Sequence, residues 1–107
     1  MEIPEDIERE LERRGGIAKL LDRLREKEIE DSCRLYKALS SDLRLKILSL
    51  LGEQDLCVCL LKDILGIQDS KLSYHLSILK DQGLIEGKRD ANFMIYRITE
   101  KGKKFVP

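Results

Sequence analysis

The side chains of this 107-residue chain best equipped for chemistry are its three cysteines, Cys33, Cys57 and Cys59. Thiolates are soft ligands that favour arsenite, antimonite, cadmium, lead, zinc or cuprous ions, and a helix N-terminus lowers a thiol pKa, which favours both metal binding and oxidation. Three sulfurs would suffice for a trigonal metalloid. An odd number of cysteines argues against a disulfide scaffold and for free thiols, a metal site or a redox switch. The competing expectation is packing, since free cysteines are among the most buried residues, and it puts one of Cys57 and Cys59 in the core. Residues two apart on an α-helix point about 200° from each other, so the pair converges on one ion only if the first turn is distorted. That distortion is a candidate switch, because a ligand that favours the strained state shifts the equilibrium toward it.

The elements that must position these groups lie between Asp55 and Gln82. Leu56, Leu60, Leu61, Ile64 and Leu65 recur at helical spacing behind Asp55, a suitable N-cap, and Gly66 stands where a left-handed C-cap belongs. This predicts a helix of about three turns. After Ile67 to Ser70, either Asp69 or Ser70 can cap a second helix in which Leu72, Leu76 and Leu79 face inward and Gly83 ends the element. Lys71, Ser73, Tyr74 and Ser77 then point outward. Two short helices joined by such a turn form the unit that lays its second helix in the DNA major groove. Lys71 can neutralise a phosphate, Ser70 and Ser73 can bond phosphates or base edges, and Tyr74 adds a hydroxyl and a ring. A solvated polar face is the alternative, and the sequence that follows decides much of the choice.

Leu84 to Arg89 and Phe93 to Ile98 are apolar-rich runs with β-branched and aromatic residues, separated by Asp90-Ala91-Asn92, the pattern of a hairpin. Lys88 and Arg89 fall near its tip, where a basic loop can reach a neighbouring groove or phosphate. A helix-turn-helix followed at once by a basic-tipped hairpin reads as a winged helix-turn-helix, mainly α with a small antiparallel β-hairpin.

The stretches Leu39 to Leu48, Asp55-Leu56-Cys57-Val58-Cys59, Leu72 to Leu79 and Gly83-Leu84-Ile85 closely resemble the arsenic-repressor (ArsR/SmtB) family over roughly residues 33 to 98. Asp55 to Cys59 looks like that family's metal box, Glu-Leu-Cys-Val-Cys-Asp-Leu, with Asp55 in place of the Glu and Leu60 in place of the Asp. The resemblance implies that Cys57 and Cys59 bind a thiophilic metal or metalloid. It also implies that Asp69, Ser70, Lys71, Ser73 and Tyr74 face DNA, with Arg89 in the wing. Ala91 departs from the glycine usual in the wing turn. His75, the sole histidine, lies where the family commonly has one and reads as structural or DNA-proximal rather than as a ligand. Residues 99 to 107 are too short for the long last helix through which many members dimerise and bind zinc, nickel or cobalt. Dimerisation is therefore expected to move to the N-terminal helices.

Those helices occupy residues 1–31, an arm distinct from the winged domain over residues 32–107. Pro4 with Glu5 and Asp6 is a good helix opening, and Ile7 and Leu11 continue one face. After Gly15-Gly16, a second amphipathic helix resumes with Ile17, Leu20, Leu21 and Leu24 and runs on through Ile29, Cys33 and Tyr36. A narrow apolar stripe flanked by dense charge suits helix pairing, against the alternative of a solvated helix. Ser41-Asp42 opens the next helix, with Leu43, Ile47, Leu48, Leu50 and Leu51 as its core face and Gly52 as its stop. Arg44 and Lys46 fall on the other side, as a solvated pair or as phosphate contacts.

Composition bounds the function. Twenty basic residues balance twenty acidic ones, so net charge does not advertise nucleic-acid binding, but residues 1–31 hold eleven acids against seven bases and residues 62–104 hold nine bases against six acids. A chain of this size forms one small core and gains from a partner. No run approaches the roughly 18 apolar residues of a membrane span, and the charged N-terminus lacks a secretory apolar core, which points to the cytoplasm. No phosphate-cradling glycine loop, convergent carboxylate pair or histidine placed to activate a cysteine points to an enzyme. The expectation is a homodimeric repressor, released from double-stranded operator DNA by a thiophilic ion at the cysteines. The alternatives are a thiol-redox repressor of the same fold and a winged helix that serves as a protein-interaction module.

Overall fold

Apolar residues at helical spacing need something to cover them, and the two parts of this chain meet that need differently. The computed structural model describes residues 2–107, which fall into two compact units, Met1–Ser32 and Cys33–Pro107. The first unit carries α1 (Glu5–Arg13) and α2 (Gly16–Asp22), neither of which buries a residue. α3 (Glu26–Leu39) follows and contributes Leu35, Ala38 and Leu39 to the second unit's interior.

Sequence periodicity predicts one helix where the structure has α2 and α3. The break falls at Leu24-Arg25, and the spacing accounts for it. The step from Leu24 to Ile29 is five residues, so a continuous helix would swing Ile29 about 140° off the stripe. Breaking the helix lets each apolar face be set independently.

In the second unit, α4 (Asp42–Glu53) opens on Ser41, whose hydroxyl accepts from the Arg44 amide at 3.3 Å. Its buried face is Ile47, Leu48 and Leu51. The helix runs through Gly52, the expected stop, and ends with Gln54 as its C-cap. The chain then extends as β1 (Leu56–Cys57) and pairs antiparallel with β3, Leu56 opposite Tyr96 and Cys57 opposite Ile95. This pairing, invisible to local periodicity, draws Asp55 away from the helix it was expected to cap. α5 is therefore shorter than expected, Val58–Leu65, with Cys57 as N-cap and left-handed Gly66 (φ 63°) as C-cap.

α6 (Asp69–Asp81) buries Leu72, Leu76 and Leu79 as the spacing predicts, but its N-cap is Gln68, without a side-chain cap bond, rather than Asp69 or Ser70. Gly83 follows with φ 71°. β2 (Ile85–Asp90) and β3 (Phe93–Ile98) form the hairpin, completing a sheet of order β1-β3-β2. Asp90 pairs with Phe93, so the turn is the two residues Ala91-Asn92 and not the three from Asp90. At Gly87 a Cβ would meet the ends of the Met94 and Tyr96 side chains that cross it from β3, and the Met94 terminus would have to shift.

The chain ends with α7 (Glu100–Lys103), capped by Thr99. Thr99 Oγ1 donates to the Gly83 carbonyl at 2.6 Å and Lys101 Nζ to the Gln82 carbonyl at 2.6 Å. The carbonyls just past the end of α6 have no helical partners, and this strap satisfies them. Buried Gly102 packs against the Leu84 backbone, leaving no room for a Cβ. Among the described residues no helix is long and apolar enough to cross a membrane.

Candidate nucleic-acid interface and thiol pair

α6 is anchored from below and open above. Leu72, Leu76 and Leu79 fix its rotation against the core while Ser70, Lys71, Ser73, Tyr74 and Ser77 are all exposed, which is the division the 3.6-residue period requires. Asp69 is exposed at the start of the helix and paired with Lys62 of α5 at 3.0 Å. So open a pair contributes little to stability, but it joins the two helices of the motif at their turn.

The wing divides its cations. Lys88 and Arg89 are both exposed and close to the turn, opposite Ile95 and Met94. As successive residues on a strand they point to opposite faces of the ribbon. Arg89 shares its face with Gly87 and Ile85, and Lys88 shares its face with Glu86 and Asp90. Glu86 in turn pairs with its cross-strand partner Arg97 at 3.6 Å. Of the two, Arg89 stands on the face free of carboxylates from its own strand. Ala91, in the wing turn, adopts φ 53°, the left-handed conformation that favours glycine.

The thiols occupy the start of α5. Cys57 has extended backbone (φ −75°, ψ 157°) and its Sγ accepts from the Leu60 amide at 3.3 Å. Cys59 lies in the first turn. Because only Cys59 is helical, the difficulty posed by two cysteines on one helix does not arise. Their Cα atoms are 5.4 Å apart and their sulfurs are joined as a disulfide. Neither is fully buried, Cys57 being half-buried and Cys59 exposed, so the core role expected for one of them is not seen. Cys33 is exposed and free on α3. Among the described residues no three His, Cys, Asp or Glu side chains gather as a metal-holding group.

Sequence reasoning missed the role of Arg44. Its guanidinium is half-buried and directs its donors to partners within the protein. Nε donates to the Ala38 carbonyl at 2.6 Å and Nη2 to the Lys37 carbonyl at 3.2 Å, both at the end of α3, while Nη1 lies 2.9 Å from His75 Nδ1 on α6. Burial, reinforced by the positive charges of Arg44 and Lys71, holds the His75 pKa below the ordinary histidine range. The partners are 31 residues apart in sequence, and no local pattern announces the contact.

Known proteins share this fold. The sequence profile of the bacterial regulatory protein, arsR family, matches residues 41–87. A putative arsenical resistance operon repressor, ArsR, of Halobacterium salinarum is 31% identical over 103 residues, covering 83% of this chain and 80% of that protein. Among solved structures, reduced HlyU from Vibrio cholerae superimposes with a TM-score of 0.68 at 30% identity, covering 76% of this chain and 86% of that one. The homodimeric winged helix-turn-helix DNA-binding domain Mb0332 of Mycobacterium bovis, solved by NMR, gives 0.67 at 29% identity, covering 73% of this chain and 72% of that one. With its motifs, its fold and these relatives in agreement, the chain belongs to the arsR family of bacterial regulatory proteins and is a winged helix-turn-helix transcriptional regulator.

Proposed function

We propose that this protein is a homodimeric repressor that binds a near-palindromic operator through α6 and the wing and leaves it when Cys57 and Cys59 change state. The observation that carries the reading is α6 itself, with three leucines locked inward and Ser70, Lys71, Ser73 and Tyr74 displayed outward beside a wing bearing Arg89. Phosphate contacts from Lys71 and the wing hold the register, and Ser73 and Tyr74 reach base edges. Dimerisation is assigned to the N-terminal arm, supported by α1 and α2 burying nothing of their own, and a homodimer is known for the Mycobacterium bovis relative. Two-fold symmetry then sets half-sites about one helical turn apart, or a multiple of it.

The inducer is a thiophilic ion such as arsenite, antimonite, cadmium, lead or zinc, held by Cys57 and Cys59, with Cys33 as the third sulfur if a partner subunit supplies it. A second reading, oxidation of the same pair, is favoured by the sulfurs already bonded within one chain. Here two thiols lose two protons and two electrons to an oxidant and form the disulfide. HlyU, a structural relative, is known in a reduced form.

Operator selected from a random DNA pool tests these readings. Reduced wild type is expected to bind it with strong salt dependence, and Lys71→Ala to weaken binding and reduce the salt slope by about one. Salt-independent retention would point to a protein-interaction module instead. Release of wild type but not of the Cys57→Ser, Cys59→Ser variant by arsenite, cadmium or zinc identifies the ion-sensing form, and release by diamide alone the redox form. Release by neither would return both cysteines to structural roles.

A further inference from the structure

The Arg44 guanidinium joins three elements with one rigid group. Arginine carries five donors and no acceptor, so its partners at the Lys37 and Ala38 carbonyls and at His75 Nδ1 must all accept. The first two are carbonyls in the last turn of α3, where a cation also opposes the helix dipole. The third fixes the chemistry of His75. Its Nδ1 must be unprotonated, which places the proton of the neutral ring on Nε2. A proton added to Nδ1 removes the acceptor and sets a second positive charge 2.9 Å from the guanidinium. Protonated His75 and the intact contact are mutually exclusive.

His75 lies in the middle of α6, next to Tyr74 on the outward face, and the two rings meet edge to face with centroids 5.2 Å apart. The charged groups that face His75 are Arg44 from α4 and Lys71 one turn earlier on α6, both cationic. From α3 the clamp receives backbone carbonyls only.

We propose that Arg44 is a positioning residue for α6, clamping neutral His75 to the end of α3, and that protonation of His75 opens the clamp and weakens operator binding. The inference rests on reading α6 as the DNA-contacting helix. It predicts the opposite of what a DNA-facing histidine would do, since a protonated ring near phosphate would tighten binding on acidification. The direction of the pH effect on folding agrees. A His75 pKa lowered in the folded state means the folded protein binds fewer protons there than the unfolded chain does. The clamp's contribution is therefore full above the ordinary histidine value of about 6.5, begins to fall below it, and is lost once pH has dropped through the lower folded-state pKa.

The test is fluorescence anisotropy of the reduced full-length chain on its selected operator, at fixed ionic strength, from about pH 8 to about pH 5.5. Wild-type affinity is expected to fall about fivefold to tenfold as His75, followed by NMR over the same range, takes up its proton. His75→Gln, whose amide oxygen can accept from Arg44 without titrating, is expected to bind more weakly than wild type at the upper end and to show no pH dependence. Arg44→Lys keeps the charge but loses the fork, and is expected to lose affinity at the upper end. Should a variant fail to fold, the wild type alone suffices. His75 is the sole histidine, so its ring nitrogens are assignable by NMR and should report the Nε2–H tautomer and a depressed pKa. An Nδ1–H tautomer, affinity that rises on acidification, or a pH profile unchanged in His75→Gln would overturn the inference. Absence of operator binding by wild type at the upper end would instead refute the DNA-binding reading beneath it, leaving the NMR result to decide the clamp.

Discussion

The two units of this chain show the same kind of apolar periodicity and put it to opposite use. In α1 and α2 the stripe is open, with Ile7 60% and Ile17 61% exposed, whereas in α4 and α6 the equivalent positions Ile47, Leu48, Leu72 and Leu79 are each 0% exposed. Spacing therefore says which face of a helix is apolar and leaves open what covers it. Length decides the rest. Below roughly 40 residues a segment rarely buries enough surface to hold a core, and Met1–Ser32 falls under that size. The second unit has four helices' worth of inward side chains closing on a three-stranded sheet. The second unit encloses a core of its own, while the apolar face of α1 and α2 is the one on which dimerisation is proposed.

Matched leucine truncations would break that contrast if it is wrong, and they carry the largest expected effect. Leu72→Ala should cost about 2–5 kcal/mol, the range for a well-packed core leucine, read from a urea transition followed by circular dichroism. Leu20→Ala, from the exposed stripe, should move the same transition by less than about 0.5 kcal/mol. If the arm dimerises as proposed, it should nevertheless raise the concentration at which the dimer dissociates in sedimentation. Equal costs in the urea transition would mean that the arm is part of one cooperative core.

A smaller effect sharpens the comparison at the units' polar contacts. Thr99 caps α7 through the Gly102 amide at 3.0 Å and donates to the Gly83 carbonyl at 2.6 Å, so it closes the strap over the end of α6. Thr99→Val keeps the volume and removes both bonds, with an expected loss of about 1–2 kcal/mol. The exposed Glu10–Arg13 pair in α1 also lowers the Glu10 pKa through its hydrogen bond. Glu10→Gln should nonetheless leave the midpoint where it is, because water screens the pair. A thermal melt of the two variants side by side makes the comparison.

Legibility followed the range of the interactions. The inward leucines of α6, the left-handed cap at Gly66, the stop at Gly83 and the hairpin from Ile85 to Ile98 follow from local spacing and turn chemistry, and all are present. The winged helix-turn-helix was readable for that reason. What local reading could not supply came from distant partners. Tyr96 and Ile95 convert Leu56 and Cys57 from helix into strand, moving the N-cap from Asp55 to Cys57 and bringing the cysteines together. His75 and the end of α3 turn Arg44 from a surface cation into a clamp. In each case the sequence held the residues and the fold chose their partners.

The smallest prediction asks whether the wing belongs to the second unit's cooperative core or folds apart from it. Ala91 holds φ 53° in the turn between Asp90 and Phe93, a conformation that an L-residue with a Cβ adopts at a cost of roughly 1–2 kcal/mol and glycine adopts freely. Glycine loses more backbone entropy on folding, which offsets part of the gain, so Ala91→Gly should stabilise by only about 0.5–1 kcal/mol. The readout is the midpoint of the urea transition together with hydrogen exchange at the β2–β3 ladder. If the midpoint rises and ladder exchange slows alongside that of α6, strain relieved at the wing tip is felt by the core through the buried pair Ile85 and Ile98. If only the ladder amides near the turn slow while the midpoint stays put, the outer wing opens independently, and a DNA-contacting Arg89 would be carried on an element more mobile than α6.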